Sequence, residues 1–247
     1  MTPSTSLTYV ALGDSISIDD YSGGAGTGAA SLLYRNRDRD FPGWRGRDLL
    51  SRDEHASRLM LASDGATTQT LLDVQLPRLL ASRVSPSVVT VTIGGNDVLS
   101  AYGSTSAARD TIQRVSVSLS RTLRQLAPLL APGGVIVVGT VYDPSDGTGD
   151  ATRLGLPPWP DALPIIAELN DALRRVATEH GAAVAEIHES FLGHGALAGD
   201  VARPEPTPAQ RNLWLCHVIE PNAWGADGVR QAFWAAISRG NDDGTRR

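Results

Sequence analysis

Three groups with the chemistry of acyl transfer follow three successive apolar runs near the start of the chain. The first run ends at a Gly-Asp-Ser turn that carries the hydroxyl of Ser15. The second is followed by Gly65, and the third by Gly94-Gly95-Asn96. The backbone N–H groups of Ser15 and Gly65 and the side-chain amide of Asn96 are the donors that an oxyanion requires. This order of residues predicts a nucleophile with its oxyanion hole.

Each of these residues also has a purely local explanation. Serine and aspartate favour turns and helix N-caps, so Ser15 and Asp14 fit a capping role. Gly65 fits a turn, and Asn96 fits a hydrogen bond that closes a loop. The joint occurrence of all of them after three successive strands favours the site over separate local roles.

The elements that must position these groups alternate along the chain. Short apolar runs of strand length occur at 8–12, 58–62, 88–93, 135–141 and 183–187. Helical patterns lie between or after them, at 68–80, 107–130, 164–180 and 226–237. Nearly continuous apolar strands separated by helices are typical of a parallel sheet that is covered on both faces. The sequence therefore predicts an α/β fold, a three-layer α/β/α sandwich with a central parallel five-stranded sheet.

The domain organisation follows from length and from the irregular segments. A chain of 247 residues is within the range of one large domain, and we expect a single domain over 1–247. Irregular insertions are predicted near 19–41, 143–161 and 193–209, with a disordered tail near 240–247. Loops that emerge at the carboxyl ends of parallel strands line ligand sites, so the insertions are candidates for substrate contact.

Composition excludes several classes of function. The net charge of −5 and the absence of a basic stripe argue against a nucleic-acid partner. All 22 basic residues are arginine, which excludes Schiff-base catalysis, a P-loop lysine and a serine/lysine dyad. We find no secretory or membrane-spanning pattern, and a single cysteine fits a reducing compartment, so a cytoplasmic location without membrane association is expected. No metal site and no cofactor are predicted, because the acidic loop residues lack paired histidines or cysteines.

These motifs resemble those of the SGNH hydrolases, also called GDSL esterases and lipases. Gly13-Asp14-Ser15 matches the first block of that family, Gly65 the second, and Gly94-Gly95-Asn96-Asp97 the third and most specific one. The resemblance implies a flavodoxin-like hydrolase fold. It also implies that Ser15 is the nucleophile and that Ser15, Gly65 and Asn96 form the oxyanion hole.

The fourth block departs from the family pattern, in which an aspartate precedes the catalytic histidine by three residues. Here Pro221, Asn222 and Gly225 align, so Glu220 stands at the position of the histidine and His217 at that of the aspartate. In one interpretation, His217 remains the base and Glu220 orients it. In the other, Glu220 faces the serine directly.

We favour His217 as the base, because imidazole is better matched to neutral pH than an ordinary carboxylate. The aligned position argues for Glu220 instead. His188 and His194 follow the fifth predicted strand, and either is a possible replacement, although histidines near strand ends more often have structural roles.

The sequence predicts a serine hydrolase that cleaves an ester of a small molecule through an acyl-enzyme on Ser15. An acyltransferase with the same intermediate is the closest alternative, and a catalytically weak or inactive binding protein is the second. Asp14, Asp97 and Trp224 are expected to contact the substrate. Tryptophans in or beside the irregular segments are candidates for an apolar acyl or ring pocket, namely Trp44, Trp159 and Trp214. Substrate identity and oligomeric state stay open.

Overall fold

A parallel sheet of five strands forms the centre of the fold. The structure, a computed structural model, describes residues 6–199 and 212–244. The strands are β1 (Thr8–Gly13), β2 (Ser57–Met60), β3 (Val88–Thr92), β4 (Val135–Gly139) and β5 (Ala183–Ala185). Their order in the sheet is β2-β1-β3-β4-β5, and all neighbours are parallel. The predicted five-stranded parallel sheet is confirmed.

Nine α-helices are found in the described residues. They are α1 (Ala29–Tyr34), α2 (Leu49–Arg52), α3 (Thr68–Thr70), α4 (Leu76–Ser82), α5 (Gly95–Leu99), α6 (Thr105–Leu126), α7 (Ala162–Glu179), α8 (Ile187–Phe191) and α9 (Ala223–Gly244). A π-helical turn, Leu71–Gln75, joins α3 to α4. Short 3₁₀ turns occur at Pro42–Trp44, Ala127–Leu129 and Thr152–Leu154.

Alternating side chains of the strands supply two separate cores. In β1, Val10 and Leu12 pack into one buried cluster, together with side chains of α4, α6 and α7. Tyr9 and Ala11 point to the opposite face and pack with α1, α8 and α9. The sheet is therefore covered on both sides, which gives the predicted three-layer sandwich.

The connections between the strands change direction next to β1, which is where a ligand crevice is expected in an open parallel sheet. The chain passes from β1 to β2 on one side and then crosses to β3 on the other side of β1. In open parallel sheets, ligands bind outside the carboxyl ends of the strands at such a switch point. Ser15 follows β1 and Asn96 follows β3, so both lie at this position.

The structure differs from the prediction in several element boundaries. Four of the predicted strands run one or two residues past the observed ends. A small antiparallel hairpin, β6 (Leu215–Cys216) and β7 (Glu220–Pro221), was not predicted. The predicted C-terminal tail is helical as far as Gly244. Most of the insertion near 193–209, and residues 245–247, lie outside the described residues.

Candidate active site

The turn that carries Ser15 is held at the end of β1 by hydrogen bonds from two neighbouring elements. The side-chain amide of Gln75 accepts from the Gly13 N–H at 2.8 Å and donates to the Gly13 carbonyl at 2.8 Å. The Asp14 N–H donates to the Thr92 carbonyl at 2.9 Å. Gly13 has φ of +117°, and a Cβ there would lie 1.9 Å from the Thr92 oxygen, so only glycine fits.

Each of the three predicted oxyanion donors has an N–H group that is free to form a hydrogen bond. Within the described residues, the N–H groups of Ser15 and Gly65 have no acceptor. The Asn96 Nδ2 donates one hydrogen bond to the Ala66 carbonyl at 3.1 Å, which leaves its second hydrogen available. Ser15 and Asn96 line the same cavity. This arrangement has the donor chemistry of an oxyanion hole.

The β6–β7 hairpin carries the fourth motif. His217 and Val218 at its tip have φ of +43° and +76°, and the Ile219 N–H donates to the His217 carbonyl at 3.0 Å. A left-handed conformation is an outlier for a β-branched residue such as valine, so the turn is strained. The Tyr142 hydroxyl donates to the Ile219 carbonyl. The strained turn is thus anchored immediately before Glu220.

The Glu220 side chain is the acid beside the nucleophile. Its carboxyl group lies beside the Ser15 side chain at the same cavity, and Oε2 is buried without a hydrogen-bond partner. Burial is the main cause that raises the pKa of Glu220, and the charge of Asp64 raises it further. The Ser15 side chain and the neighbouring charge of His217 lower that pKa. A carboxylate with a raised pKa is a stronger base than an ordinary glutamate.

His217, which the sequence favours as the base, does not have the contacts expected of a base for Ser15. Its side chain is exposed, and its ring packs against Tyr21 with centroids 5.7 Å apart. In the described part of the chain, no hydrogen bond joins His217 to Ser15 or to Glu220. The reason is local, because the left-handed turn leaves His217 at the tip of the hairpin while Glu220 lies in the strand that follows.

The two alternative histidines have structural partners. The His188 Nδ1 contacts the Val141 carbonyl at 3.2 Å. His194 stacks on Trp214 at 3.7 Å between centroids, and its Nδ1 contacts the Asn212 carbonyl at 2.8 Å. Burial lowers the pKa of His194. Neither histidine lines the cavity beside Ser15.

The predicted substrate contacts fall in three different environments. Asp14 is buried and lines the cavity. Asp97 has both carboxylate oxygens on Thr68, accepting from its N–H at 3.2 and 3.0 Å and from its hydroxyl at 2.6 Å, so it holds the start of α3. Trp224 is 51% exposed, packs edge-on against Phe41 and is not part of the cavity wall. Substrate contact by Asp97 and Trp224 stays a prediction without support from these contacts.

Asp14 makes the stability of the fold depend on pH. Burial is the main cause that raises its pKa from 3.8 to about 7, and the charge of Glu220 adds to the effect. The native state therefore retains a proton between these values that the unfolded chain releases. Stability conferred by the protonated carboxyl is lost as the pH rises through this window, by up to about 4 kcal/mol.

We expect Asp14→Asn to remove most of this pH-dependent decrease in the free energy of unfolding. Asparagine has no proton to release, and its side-chain oxygen can accept from the Ile16 N–H as Asp14 does at 3.2 Å. Urea unfolding at several pH values measures the difference, with Asp110→Asn as the matched change at an exposed position. Equal pH slopes for Asp14→Asn and the wild type would contradict the assignment.

An apolar cavity opens beside the polar groups. Its volume is about 820 Å³, including the part open to solvent. Ser15, Asn96 and Glu220 supply polar groups, and most other wall residues are apolar side chains of α5, α7 and the segment 141–159. Of the three tryptophans predicted to form a pocket, Trp159 lines this cavity, whereas Trp44 and Trp214 do not.

Sequence reasoning missed Gln75, which is buried and holds Gly13. Its signal was a polar amide among the leucines of a helical pattern. In the described residues, no group of three or more histidine, cysteine, aspartate or glutamate side chains is arranged to hold a metal ion. No described helix is both long and apolar enough to cross a membrane.

A protein-family model matches most of this chain. The model of the GDSL-like lipase/acylhydrolase family matches residues 11–226. A comparison with curated protein sequences finds no match.

Solved structures share the fold at low identity. An α/β hydrolase from the metagenome of Lake Arreo is 21% identical, with a TM-score of 0.62 over 94% of this chain and 95% of its own. Phospholipase A1 from Streptomyces albidoflavus is 22% identical, with a TM-score of 0.60 over 94% and 99%. A variant of an acetyl xylan esterase from Geobacillus stearothermophilus is 16% identical, with a TM-score of 0.59 over 94% of each chain.

Proposed function

The chain belongs to the GDSL-like lipase/acylhydrolase family and is a carboxylic ester hydrolase of the SGNH type, and we propose that it cleaves an ester of a small molecule through an acyl-enzyme on Ser15. The observation that carries this proposal is that Ser15, Asn96 and Glu220 line one apolar cavity, with the Glu220 carboxyl beside the Ser15 side chain. The unused N–H groups of Ser15 and Gly65 support it, because they supply donors for the developing oxyanion.

In the first half of the reaction, the Ser15 Oγ attacks the ester carbonyl carbon and Glu220 accepts the hydroxyl proton. The carbonyl oxygen becomes an oxyanion, which the N–H groups of Ser15 and Gly65 and the Asn96 amide stabilise. The C–O bond to the alcohol then breaks, and the alcohol leaves with the proton held by Glu220. The acyl group remains on Ser15.

In the second half, a water molecule attacks the acyl-enzyme, and Glu220 accepts its proton and returns it to Ser15. The net reaction converts ester and water to acid and alcohol. We propose Glu220 as the base in place of His217, because Glu220 lines the cavity beside the serine and burial raises its pKa, whereas His217 does not line the cavity. In this proposal, the charge of His217 lowers the pKa of Glu220, and His217 does not contact Ser15.

A fluorophosphonate probe tests the nucleophile directly. We expect the wild type to form a covalent adduct and Ser15→Ala to form none, as read by intact mass. Ser100→Ala removes an exposed hydroxyl outside the site and should label like the wild type. Absence of labelling from about pH 6 to 9, a range in which a catalytic base would be active, would favour a binding protein.

The same acyl-enzyme can pass to an alcohol or an amine. Addition of such an acceptor during ester cleavage separates acyl transfer from hydrolysis, because transfer yields a new ester or amide in place of the acid. The cytoplasmic location stays a prediction from the sequence.

A further inference from the structure

The cavity beside Ser15 is lined mostly by apolar side chains. Val98 and Leu99 from α5 and Ile166 and Leu169 from α7 contribute to its walls. Each methylene of a ligand that enters such a space gains about fourfold in binding. The cavity therefore favours an extended apolar group over a short one.

The acyl group of the substrate, which stays on the enzyme longer than the alcohol, is the part suited to this cavity. The alcohol must leave after the first half of the reaction, whereas the acyl group stays on Ser15 until water arrives. A partly enclosed apolar cavity stabilises the group that remains through both steps. On this argument, the cavity receives the acyl chain and the leaving alcohol lies toward solvent.

Apart from the proposed oxyanion donors, the wall contains a buried hydrogen-bond donor that has no acceptor. Trp159 is 5% exposed, and its indole packs edge-on against Tyr102 at 4.8 Å between centroids. Its Nε1 is buried and has no hydrogen-bond partner. A buried donor without an acceptor is costly, and such a group in a native structure needs an explanation.

Several other polar side chains of the wall, outside the proposed catalytic groups, have partners in the protein. Asp143 Oδ1 accepts from the Ser145 N–H at 2.8 Å, and Oδ2 accepts from the Gly147 N–H at 2.6 Å. The Tyr102 hydroxyl donates to the Pro157 carbonyl at 2.7 Å, and that of Tyr142 donates to the backbone of the β6–β7 hairpin. The indole N–H of Trp159 thus differs from these groups, because it has no acceptor among the described residues and belongs to a wall residue of the cavity.

Resting on the proposed function, we propose that the enzyme is selective for a medium-length acyl chain that carries an oxygen acceptor, such as a keto oxygen, for the Trp159 N–H. The apolar walls take the methylene groups of the chain. The acceptor oxygen pairs with Nε1, and this hydrogen bond discriminates against a plain alkyl chain, which would leave the donor buried and unpaired.

Matched chromogenic esters test this selectivity. We would measure kcat/KM for nitrophenyl acetate, hexanoate, 4-oxohexanoate and 5-oxohexanoate, each divided by its rate of alkaline hydrolysis. In the wild type, hexanoate should exceed acetate, and one of the oxo esters should exceed hexanoate by about tenfold, the size of one hydrogen bond. Trp159→Phe, which keeps an aromatic ring but has no N–H, should bring that oxo-to-plain ratio close to one.

Trp234→Phe is the matched control. Trp234 lies on α9, packs against Trp44 and does not line the cavity. The variant should keep the wild-type ratio. A wild-type ratio near one for both oxo esters would overturn the proposal even if Trp159→Phe failed to fold. A preference that survives in folded Trp159→Phe would overturn the role of Nε1.

Failure of this selectivity is distinguishable from failure of the proposed function. Acetate hydrolysis that disappears in Ser15→Ala supports the nucleophile whatever the acyl preference. Acetate hydrolysis that persists in Ser15→Ala would reject the proposed function itself.

Discussion

Glu220→Gln is expected to lower kcat/KM for a chromogenic acetate ester by about 10³-fold, within the range for loss of a general base. Glutamine has nearly the shape of glutamate and can hydrogen-bond with Ser15, but it cannot accept the hydroxyl proton at neutral pH. The wild-type rate should fall on the acid side as Glu220 is protonated, at a pH above that of an ordinary glutamate because its pKa is raised. Initial rates over a pH series measure both effects.

His217→Ala separates the two candidates for the base. Because His217 is exposed and lowers the pKa of Glu220 only through its charge, we expect a loss below about tenfold. Asp64→Asn should move the acid limb of the profile to lower pH, since the Asp64 charge raises the pKa of Glu220. If His217→Ala were far more damaging than Glu220→Gln, the imidazole would be the base.

Asn96→Ala is expected to lower kcat by about 10² to 10³-fold, with a much smaller change in KM. The amide donates to an oxyanion that exists only after attack, so its loss raises the barrier more than it weakens substrate binding. The hydrogen bond to the Ala66 carbonyl is also lost, which makes a check on folding necessary. Steady-state kinetics with a thermal melt supply both measurements.

Gln69→Ala is the control for Asn96→Ala, because it removes an exposed side-chain amide that pairs with Asp73. Its kcat should stay within about twofold of the wild type, as for surface changes that touch no reacting group. A loss confined to KM in Asn96→Ala would mean that the amide binds the ground state and does not serve the oxyanion.

Sequence patterns were sufficient for the sheet and for the groups at its carboxyl edge. Strands buried on both faces leave continuous apolar runs, and the order of those runs fixes which turns meet in space. The sequence alone therefore assigns Ser15 and Asn96 to one edge of the sheet. Gly13 adds a steric reason that the sequence could not reveal, namely the close approach of the Thr92 carbonyl.

The arrangement of the fourth motif could not be predicted in the same way. Strands of two residues have no periodicity, and a left-handed turn at His217 and Val218 contradicts the usual preference for glycine or asparagine. Alignment with the family placed Glu220 opposite the serine, whereas chemical preference for imidazole favoured His217. The conformation of the hairpin, and not residue type alone, decides which side chain lies beside Ser15.

The π-helical turn at Leu71–Gln75 has a consequence for how this enzyme can tolerate deletions. One extra residue in the wide turn sets the angle at which Gln75 projects from its helix. Shortening the segment by one residue would regularise the helix, yet would rotate that amide by about 100° around the axis, away from Gly13. A helix with better local geometry would thus leave the backbone just before the nucleophile without its clamp.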